Sequence, residues 1–158
     1  MDGSHYPPFG RRGSDAGLAA ATWPAPGNYY DSADANVLVV CVIEEAKAVE
    51  RIEEIAAMPG IDVIFIGASD LSFSLGLRGL QDERLLDEAI AKIVAAAQRN
   101  SKWLGRPAGG AEDIRRYQQQ GFQFFQSVTE LGLMTAWGQS LVRTTGDQGQ
   151  TAGQTTFY

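Results

Sequence analysis

Two apolar runs, each followed by a carboxylate, constrain the fold of this chain more than any other feature. Residues 37–43 are almost continuously aliphatic, and Glu44 follows them directly. Residues 63–66 form a second run, and Asp70 comes just past its end, after a turn of small residues. Continuous apolar strands are typical of a parallel sheet that helices cover. Carboxylates that follow two neighbouring strands would lie together at the carboxyl edge of that sheet, where α/β barrels place their functional groups.

The order strand then helix occurs four times from residue 37 onward. We predict strands at 37–43, 61–66, 102–105 and 122–128, and helices at 45–58, 81–99, 111–120 and 130–143. Right-handed crossovers between successive strands would make the sheet parallel. A whole (β/α)₈ barrel needs roughly 200 residues or more. The 158 residues therefore fit either a small open α/β sheet or half of a barrel.

The residues outside this repeat lack a regular period. Prolines and glycines punctuate residues 1–36, so we predict a loop region before the first strand. Within it, residues 28–30 could start a short helix or pack on the barrel exterior. Residues 37–143 are assigned to the α/β domain, and residues 144–158, rich in Thr, Gln and Gly, to a flexible tail. A loop this long before the first strand is uncommon in a compact domain. We therefore expect that further structure normally precedes it.

Composition excludes several classes of protein. The net charge of -6 argues against binding to nucleic acid or to an anionic membrane surface. No apolar run approaches the ~20 residues that span a membrane, and the amino end lacks the apolar core of a signal peptide. The single cysteine, Cys41, is interpreted as a buried thiol in the first strand. We expect a cytoplasmic protein.

Glu44 and Asp70 are the strongest candidates for a binding site. Two carboxylates suit a hard divalent cation such as Mg²⁺ or Mn²⁺, with water and substrate oxygens in the remaining coordination positions. Asp70 could instead be a helix N-cap. Glu45 competes with Glu44, because strand alternation sends the two side chains to opposite faces. The residues alone leave these alternatives open.

The small residues Gly67, Ala68 and Ser69, together with Asp70, form a second candidate site. Small side chains let backbone N–H groups approach an anion closely, particularly where a helix begins. Beside a metal ligand, this turn would bind a substrate carboxylate while the cation binds a keto oxygen.

The other reactive side chains give weaker signals. His5, the only histidine, lies in the loop-like amino end, has no partner acid assigned to it and is interpreted as solvated. Lys102 is interpreted as a surface residue rather than a Schiff-base amine. Arg11 and Arg12 precede Gly13 in a flexible stretch, where composition favours a solvated pair. No catalytic base is assigned.

Several motifs in combination resemble the metal-dependent 2-oxo-acid aldolases, which include 4-hydroxy-2-oxoheptanedioate and 2-keto-3-deoxy sugar-acid aldolases. Residues 6–13, YPPFGRRG, are similar to the YPPxGxRG loop of that family. Ile43-Glu44, residues 59–63 (PGIDV) and residues 66–71 (IGASDL) are similar to its IE…PGvDv…iGpxDL signature. The two carboxylates are 70 − 44 = 26 positions apart, as the family's metal ligands are. Residues 105–108 and 124–126 look closest to the macrophomate-synthase-like branch.

This resemblance implies a fold, a chemistry and a set of site residues. It implies that the chain is the C-terminal half of a (β/α)₈ TIM barrel, an incomplete barrel of four strand–helix units. It implies that Glu44 and Asp70 hold Mg²⁺ or Mn²⁺, and that the turn at 67–70 binds a 2-oxo acid such as pyruvate or oxaloacetate. Residues 11–13 would lie near the mouth of the site. The expected reaction is that of a carbon–carbon lyase, a class II pyruvate aldolase that stabilises an enolate.

The departures from the family pattern affect function. The chain starts where the family's fifth unit begins, so the family's catalytic histidine–aspartate pair and substrate arginine are expected to be absent. Val42 stands where the family usually has glutamine. An incomplete barrel exposes two sheet edges, so we expect a homo-oligomer or a complementary N-terminal half. The alternative to an impaired lyase is a non-catalytic protein that binds metal and 2-oxo acid or serves in interaction.

Overall fold

The computed structural model describes residues 3–14, 16–22, 27, 29–79 and 83–144. The predicted tail after residue 144 and the start of the predicted helix at residue 81 lie outside the described residues. So do several residues of the predicted loop region, namely 1–2, 15, 23–26 and 28.

Strands and helices alternate through the predicted domain. The strands are β1 (Val40–Ile43), β2 (Val63–Ile66), β3 (Trp103–Pro107) and β4 (Phe124–Gln126). The helices are α1 (Ala16–Thr22), α2 (Tyr29–Asn36), α3 (Ala46–Glu50), α4 (Ile52–Ala57), α5 (Ala68–Ser74), α6 (Arg84–Arg99), α7 (Ala111–Gln119) and α8 (Glu130–Thr144). The sheet has the order β1-β2-β3-β4, and every neighbouring pair is parallel. The predicted α/β class, with four strand–helix units, is confirmed.

The helix-facing side of the sheet forms the hydrophobic core. Its largest fully buried apolar side chains are Phe122, Ile43, Ile64, Ile66, Leu71, Leu86, Ile93 and Leu104. From α6, Leu86, Ala89 and Ile93 are buried at helical spacing, as expected of an amphipathic helix. Each fully buried large aliphatic side chain contributes about 1.5–3 kcal/mol. These contacts hold α6 across the sheet and set the level at which the strands end.

The two outer strands are shorter than predicted. β1 begins at Val40 rather than at residue 37, and β4 spans three residues rather than 122–128. Each has a hydrogen-bonded neighbour on one side only among the described residues. Continuous burial was therefore the wrong expectation for the first strand, in which Val42 is 49% exposed. The prediction holds for β2, in which every residue is buried.

The loop prediction for residues 1–36 was wrong for α1, whereas α2 begins at Tyr29, where a short helix was one of the two alternatives. Alanines at 19–21 favour the first of these helices over an irregular loop. The second is tied to the amino-terminal loop, since the Tyr6 N–H donates to Asp34 Oδ1 at 2.9 Å. The predicted helix at 45–58 is also divided, because Arg51 leaves helical geometry between α3 and α4.

Lys102 connects two parts of the chain just before β3. Its Nζ donates to the carbonyl of Met58 at 3.0 Å, after the last residue of α4, and to the carbonyl of Ile61 at 2.8 Å, before β2. A lysine that satisfies carbonyls at a helix end has a structural task, which agrees with our preference against a Schiff-base role.

The last helix, α8, leaves many apolar side chains in solvent. Its exposed large apolar residues are Leu131, Leu133, Met134, Trp137, Leu141 and Val142. An apolar surface of this kind is typical of an interaction site.

None of the helices in the described residues is both long and apolar enough to cross a membrane. The cytoplasmic location stays a prediction.

Candidate functional site

Glu44 and Asp70 lie at the same edge of the sheet. Glu44 directly follows β1, and Asp70 is in the first turn of α5, which follows β2. The two strands are paired in parallel up to Ile43 and Ile66, so their carboxyl ends coincide. Both carboxylate side chains are exposed. The structure therefore places both predicted metal ligands at the carboxyl edge of neighbouring strands.

Gly67 leaves space directly beside Glu44. A Cβ built on Gly67 would lie 3.1 Å from Glu44 Cβ and 3.4 Å from Glu44 Oε2. The same Cβ would meet Val42 Cγ1 at 3.5 Å. The Gly67 N–H donates to the carbonyl of Ile43 at 3.1 Å, which holds the glycine against the end of β1. Any side chain at this position would crowd the Glu44 carboxylate.

Glu44 and Glu45 have different surroundings in the structure. Glu44 lies against Gly67, whereas Glu45 is the residue before α3, with extended backbone and no side-chain capping bond. The adjacent N–H of Ala46 donates to Ser74 Oγ at 2.9 Å, which joins the start of α3 to the end of α5. The sequence analysis gave Ser74 no role of its own, since one serine in a helical segment carries no distinguishing signal.

Asp70 is not an N-cap. Gly67 is the N-cap residue of α5, and Asp70 stands three positions further on, inside the helix. The first intrahelical bond runs from the Leu71 N–H to the Gly67 carbonyl at 2.9 Å. The N–H groups of Ala68, Ser69 and Asp70 precede it, and helix geometry provides no intrahelical acceptor for them. The predicted small-residue turn is thus the first turn of a helix.

The donor set suits a hard cation with an incomplete protein coordination shell. Among the described residues, no hydrogen bond or ion pair engages the side chain of Glu44 or Asp70. The described part of the chain also contains no group of three or more His, Cys, Asp or Glu side chains arranged around a common point. Two carboxylates and the space at Gly67 fit a divalent cation that takes its other ligands from water and substrate.

The amino-terminal loop packs on α2. The Arg12 guanidinium donates to Tyr29 Oη at 3.0 Å and lies over the Tyr6 ring, 4.9 Å from its centroid. The interpretation of both arginines as solvated was therefore wrong for Arg12, which is half-buried, whereas Arg11 and Gly13 are exposed. Within the described residues, no recorded bond joins this loop to Glu44 or Asp70, and its place at the mouth of the site stays a prediction.

His5 forms hydrogen bonds within the same amino-terminal loop. Its Nδ1 lies 2.8 Å from Ser4 Oγ, and its carbonyl accepts a hydrogen bond from the Arg12 N–H at 2.9 Å. These contacts are local to the loop. They agree with the expectation that His5 is not a catalytic base.

Arg106 lies near the carboxyl end of β3 but points toward the helices. Its guanidinium carbon is 3.6 Å from the centroid of the Tyr117 ring on α7 and 5.4 Å from that of Phe122. Burial lowers the pKa of this arginine, while Tyr117 partly opposes the shift. Cation–π stacking of this kind stabilises a partly desolvated guanidinium. Arg106 therefore orders the β3–α7 region and does not face the two carboxylates.

Comparison with known proteins agrees with the resemblance seen in the motifs. The sequence pattern of the family described as HpcH/HpaI aldolase/citrate lyase matches residues 4–136. A hydroxypyruvate/pyruvate aldolase from Delftia acidovorans is 36% identical over 130 residues, which cover 82% of this chain and 48% of that protein. The chain spans about half the length of the curated relatives it matches.

Solved structures extend this similarity to the fold. An HpcH/HpaI aldolase/citrate lyase family protein from Burkholderia cenocepacia matches with a TM-score of 0.76 and 30% identity, over 90% of this chain and 57% of that one. Macrophomate synthase matches with a TM-score of 0.77 and 25% identity, over 96% and 55% of the two chains. The neighbours are barrels of the TIM type. The four-stranded sheet corresponds to about half of such a barrel.

Proposed function

The chain belongs to the HpcH/HpaI aldolase/citrate lyase family, and we propose that it carries the divalent-metal and 2-oxo-acid subsite of a carbon–carbon lyase. The observation that supports this most directly is the contact of Gly67 with Glu44, with Asp70 following in the first turn of α5. The two carboxylates have no partner among the described residues, and Gly67 lies directly against Glu44. The proposed substrate is a 2-oxo acid of the pyruvate or oxaloacetate type.

In this proposal, Glu44 and Asp70 would hold Mg²⁺ or Mn²⁺. The bound cation would supply Lewis acidity to the keto oxygen of the substrate and so favour loss of a proton or a carbon substituent from the neighbouring carbon. Glu44 and Asp70 contribute the negative charge and the oxygen ligands that this cation needs. Gly67 keeps the space beside Glu44 free for a substrate oxygen.

The first turn of α5 would orient the substrate. The N–H groups of Ala68, Ser69 and Asp70 lack intrahelical acceptors and can donate to a carboxylate. Ala68 is buried and Leu71 is fully buried, so the turn sits on a rigid part of the core. A carboxylate held there would fix the substrate with its keto group toward the two acidic side chains.

A binding function without turnover is the second candidate. Val42 provides no polar contact where the family usually has glutamine, and no described side chain is assigned as a base. Under this alternative, the site binds metal and 2-oxo acid but does not accelerate their chemistry. The exposed apolar face of α8 supports an oligomer under either function.

The experiment that separates these functions is loss of the pyruvate methyl proton signal in D₂O. After chelation and dialysis, we expect the folded chain to accelerate exchange when Mg²⁺ is restored, above the rate with Mg²⁺ alone. Binding of Mn²⁺ is measured in parallel by electron paramagnetic resonance. If the folded chain binds Mn²⁺ yet gives no exchange above the metal-only rate, the lyase function is refuted and the binding function stands. Failure to bind Mn²⁺ contradicts both.

Replacing Gly67 by alanine is expected to weaken Mn²⁺ binding by about tenfold, a magnitude typical of changes that disturb the orientation of a ligand. The new methyl group would lie 3.1 Å from Glu44 Cβ, so Glu44 would have to shift by a few tenths of an ångström and its carboxylate would move with it. Gly17→Ala is the matched control, because a Cβ on Gly17 meets nothing within 4 Å. Equal Mn²⁺ affinities for Gly67→Ala and wild type would remove the geometric support for Glu44 as a ligand.

A further inference from the structure

Both edges of the described sheet carry exposed apolar side chains. Beside β1, Leu38 is 53% exposed and Val42 is 49% exposed. At the opposite edge, Phe124 of β4 is 38% exposed, and Val128, just after β4, is 60% exposed. No strand among the described residues pairs with the outer side of either edge. Open edges with apolar side chains favour pairing with another chain.

These residues lie on the side of the sheet that the helices do not cover. Cys41, Ile43 and Ile64 pack in the core beneath the helices. Because side chains alternate along a strand, Val42 and Phe124 lie on the opposite face. On the same face, Val63 and Phe65 of β2, in the middle of the sheet, are buried within the chain itself. Trp103, at the amino end of β3, is exposed. Exposure on this face is thus greatest at the edges and at the amino end.

The same face is free of charge. Its described strand positions are Val40, Val42, Val63, Phe65, Trp103, Gly105, Pro107, Phe124 and Gln126. No member of this set would place an ionised side chain in an enclosed interior, where an unpaired charge is costly. Glu44 lies beyond the end of β1, at the rim. The face is therefore suited to burial against an equally apolar surface.

We propose that a second copy of this chain covers this face, so that two four-stranded sheets close into one eight-stranded barrel. A two-fold axis along the barrel would place β4 of each copy beside β1 of the other. Both seams would be parallel and identical, as closed two-fold symmetry requires. Eight parallel strands are the number at which α/β barrels close. The proposal concerns assembly and does not depend on the proposed reaction.

The register of the sheet identifies which side chains meet at the seam. Val42, Phe65, Gly105 and Phe124 are consecutive partners across the four strands. A closed α/β barrel shifts its register by about eight residues per circuit, so about four residues across half of it. With the strand tilt of such barrels, Val42 of one copy falls beside Val128 of the other, and Leu38 falls beside Phe124. All four are the exposed apolar side chains at the edges.

This seam also accounts for the short outer strands. The predicted strands at 37–43 and 122–128 extend beyond β1 and β4 on the sides where Leu38 and Val128 lie. On their outer sides, these segments have no strand partner among the described residues. Pairing with a second copy would lengthen both strands. It would also place Glu44 and Asp70 of both copies around one barrel mouth.

The test is a pair of complementary charge variants followed by sedimentation. Wild type is expected to sediment at twice the 17.0 kDa chain mass. Val42→Glu and Val128→Lys, each alone, should raise the dimer dissociation constant by about 100-fold, because each buries an unpaired charge at both seams. An equimolar mixture should form a heterodimer, since one seam then pairs Glu with Lys and the other is wild-type.

Controls separate this seam from other modes of association. Leu85→Glu changes a residue of α6 that is 47% exposed and should leave the dimer intact. Circular dichroism of each single variant shows that it is folded. A wild-type chain that stays monomeric at high concentration overturns the proposal, as does a dimer that Leu133→Glu on α8 disrupts while Val42→Glu does not. Folded single variants that fail to form a heterodimer overturn the seam as well.

Discussion

Replacing Glu44 by glutamine is expected to abolish most of the metal-dependent exchange of pyruvate protons. The substitution keeps the size of the side chain but removes a negative charge and an ionised oxygen ligand. Because the loss of groups that only orient a ligand already costs 10- to 100-fold in affinity or activity, loss of the ligand itself should cost at least about 100-fold. Exchange is followed by NMR in D₂O, and Mn²⁺ affinity by electron paramagnetic resonance.

Glu45→Gln is the matched control for this experiment. It makes the same chemical change one residue later, at an exposed position before α3 that makes no side-chain capping bond. Mn²⁺ affinity and exchange should therefore stay near the wild-type values. Equal losses in the two variants would point to a general effect of charge and would contradict the assignment of Glu44. Asp70→Asn should resemble Glu44→Gln, since both are proposed to hold the same cation.

Replacing Gly105 by alanine is expected to lower the free energy of unfolding by about 2–3 kcal/mol, as overpacking in a dense core does. Gly105 lies on β3 between the rings of Phe65 and Phe124, which contact each other edge to face with centroids 6.1 Å apart. A Cβ at Gly105 would lie 2.7 Å from Phe65 Cδ2 and 3.1 Å from the Phe124 carbonyl oxygen. The backbone contact cannot be relieved by turning a side chain.

Thermal unfolding at one fixed chain concentration measures this effect. For a chain of this size, 2–3 kcal/mol corresponds to a fall in Tm of roughly 4–12 °C. Gly138→Ala provides the contrast, because a Cβ there meets nothing within 4 Å and alanine favours a helix. It should leave Tm unchanged or raise it slightly. A Gly105→Ala variant with wild-type Tm would mean that the two rings move apart without loss of stability.

Local patterns in the sequence were sufficient for the order of the strands and helices from β1 onward. Hydrophobic periodicity and the Pro59-Gly60 stop separate strands from helices wherever the sheet is fully buried, as in β2. Family motifs distinguished Glu44 from Glu45, and the contact with Gly67 agrees with that choice. These features depend on residues close together in the chain, so they can be predicted from the sequence alone.

The same patterns failed where distant residues decide the outcome. Helix α2 could be offered only as one of two alternatives, because its stabilising contacts come from Tyr6 and Arg12, more than fifteen positions earlier in the chain. The N-cap alternative for Asp70 failed because α5 begins at once after β2, with Gly67 as its cap. The interpretation of Arg12 as a solvated side chain was wrong, because its guanidinium donates a hydrogen bond to Tyr29 Oη.

The sequence by itself determined the α/β class and the family, since alternating apolar segments and short motifs are local properties of the chain. Only the tertiary structure decided that Gly67 lies against Glu44 and that Arg106 faces Tyr117 rather than the carboxyl edge. Each of these depends on which strand pairs with which, and in what register. Strand pairing joins residues that are far apart in the sequence, and it depends on hydrogen bonding and burial together. No single segment of the sequence therefore specifies it.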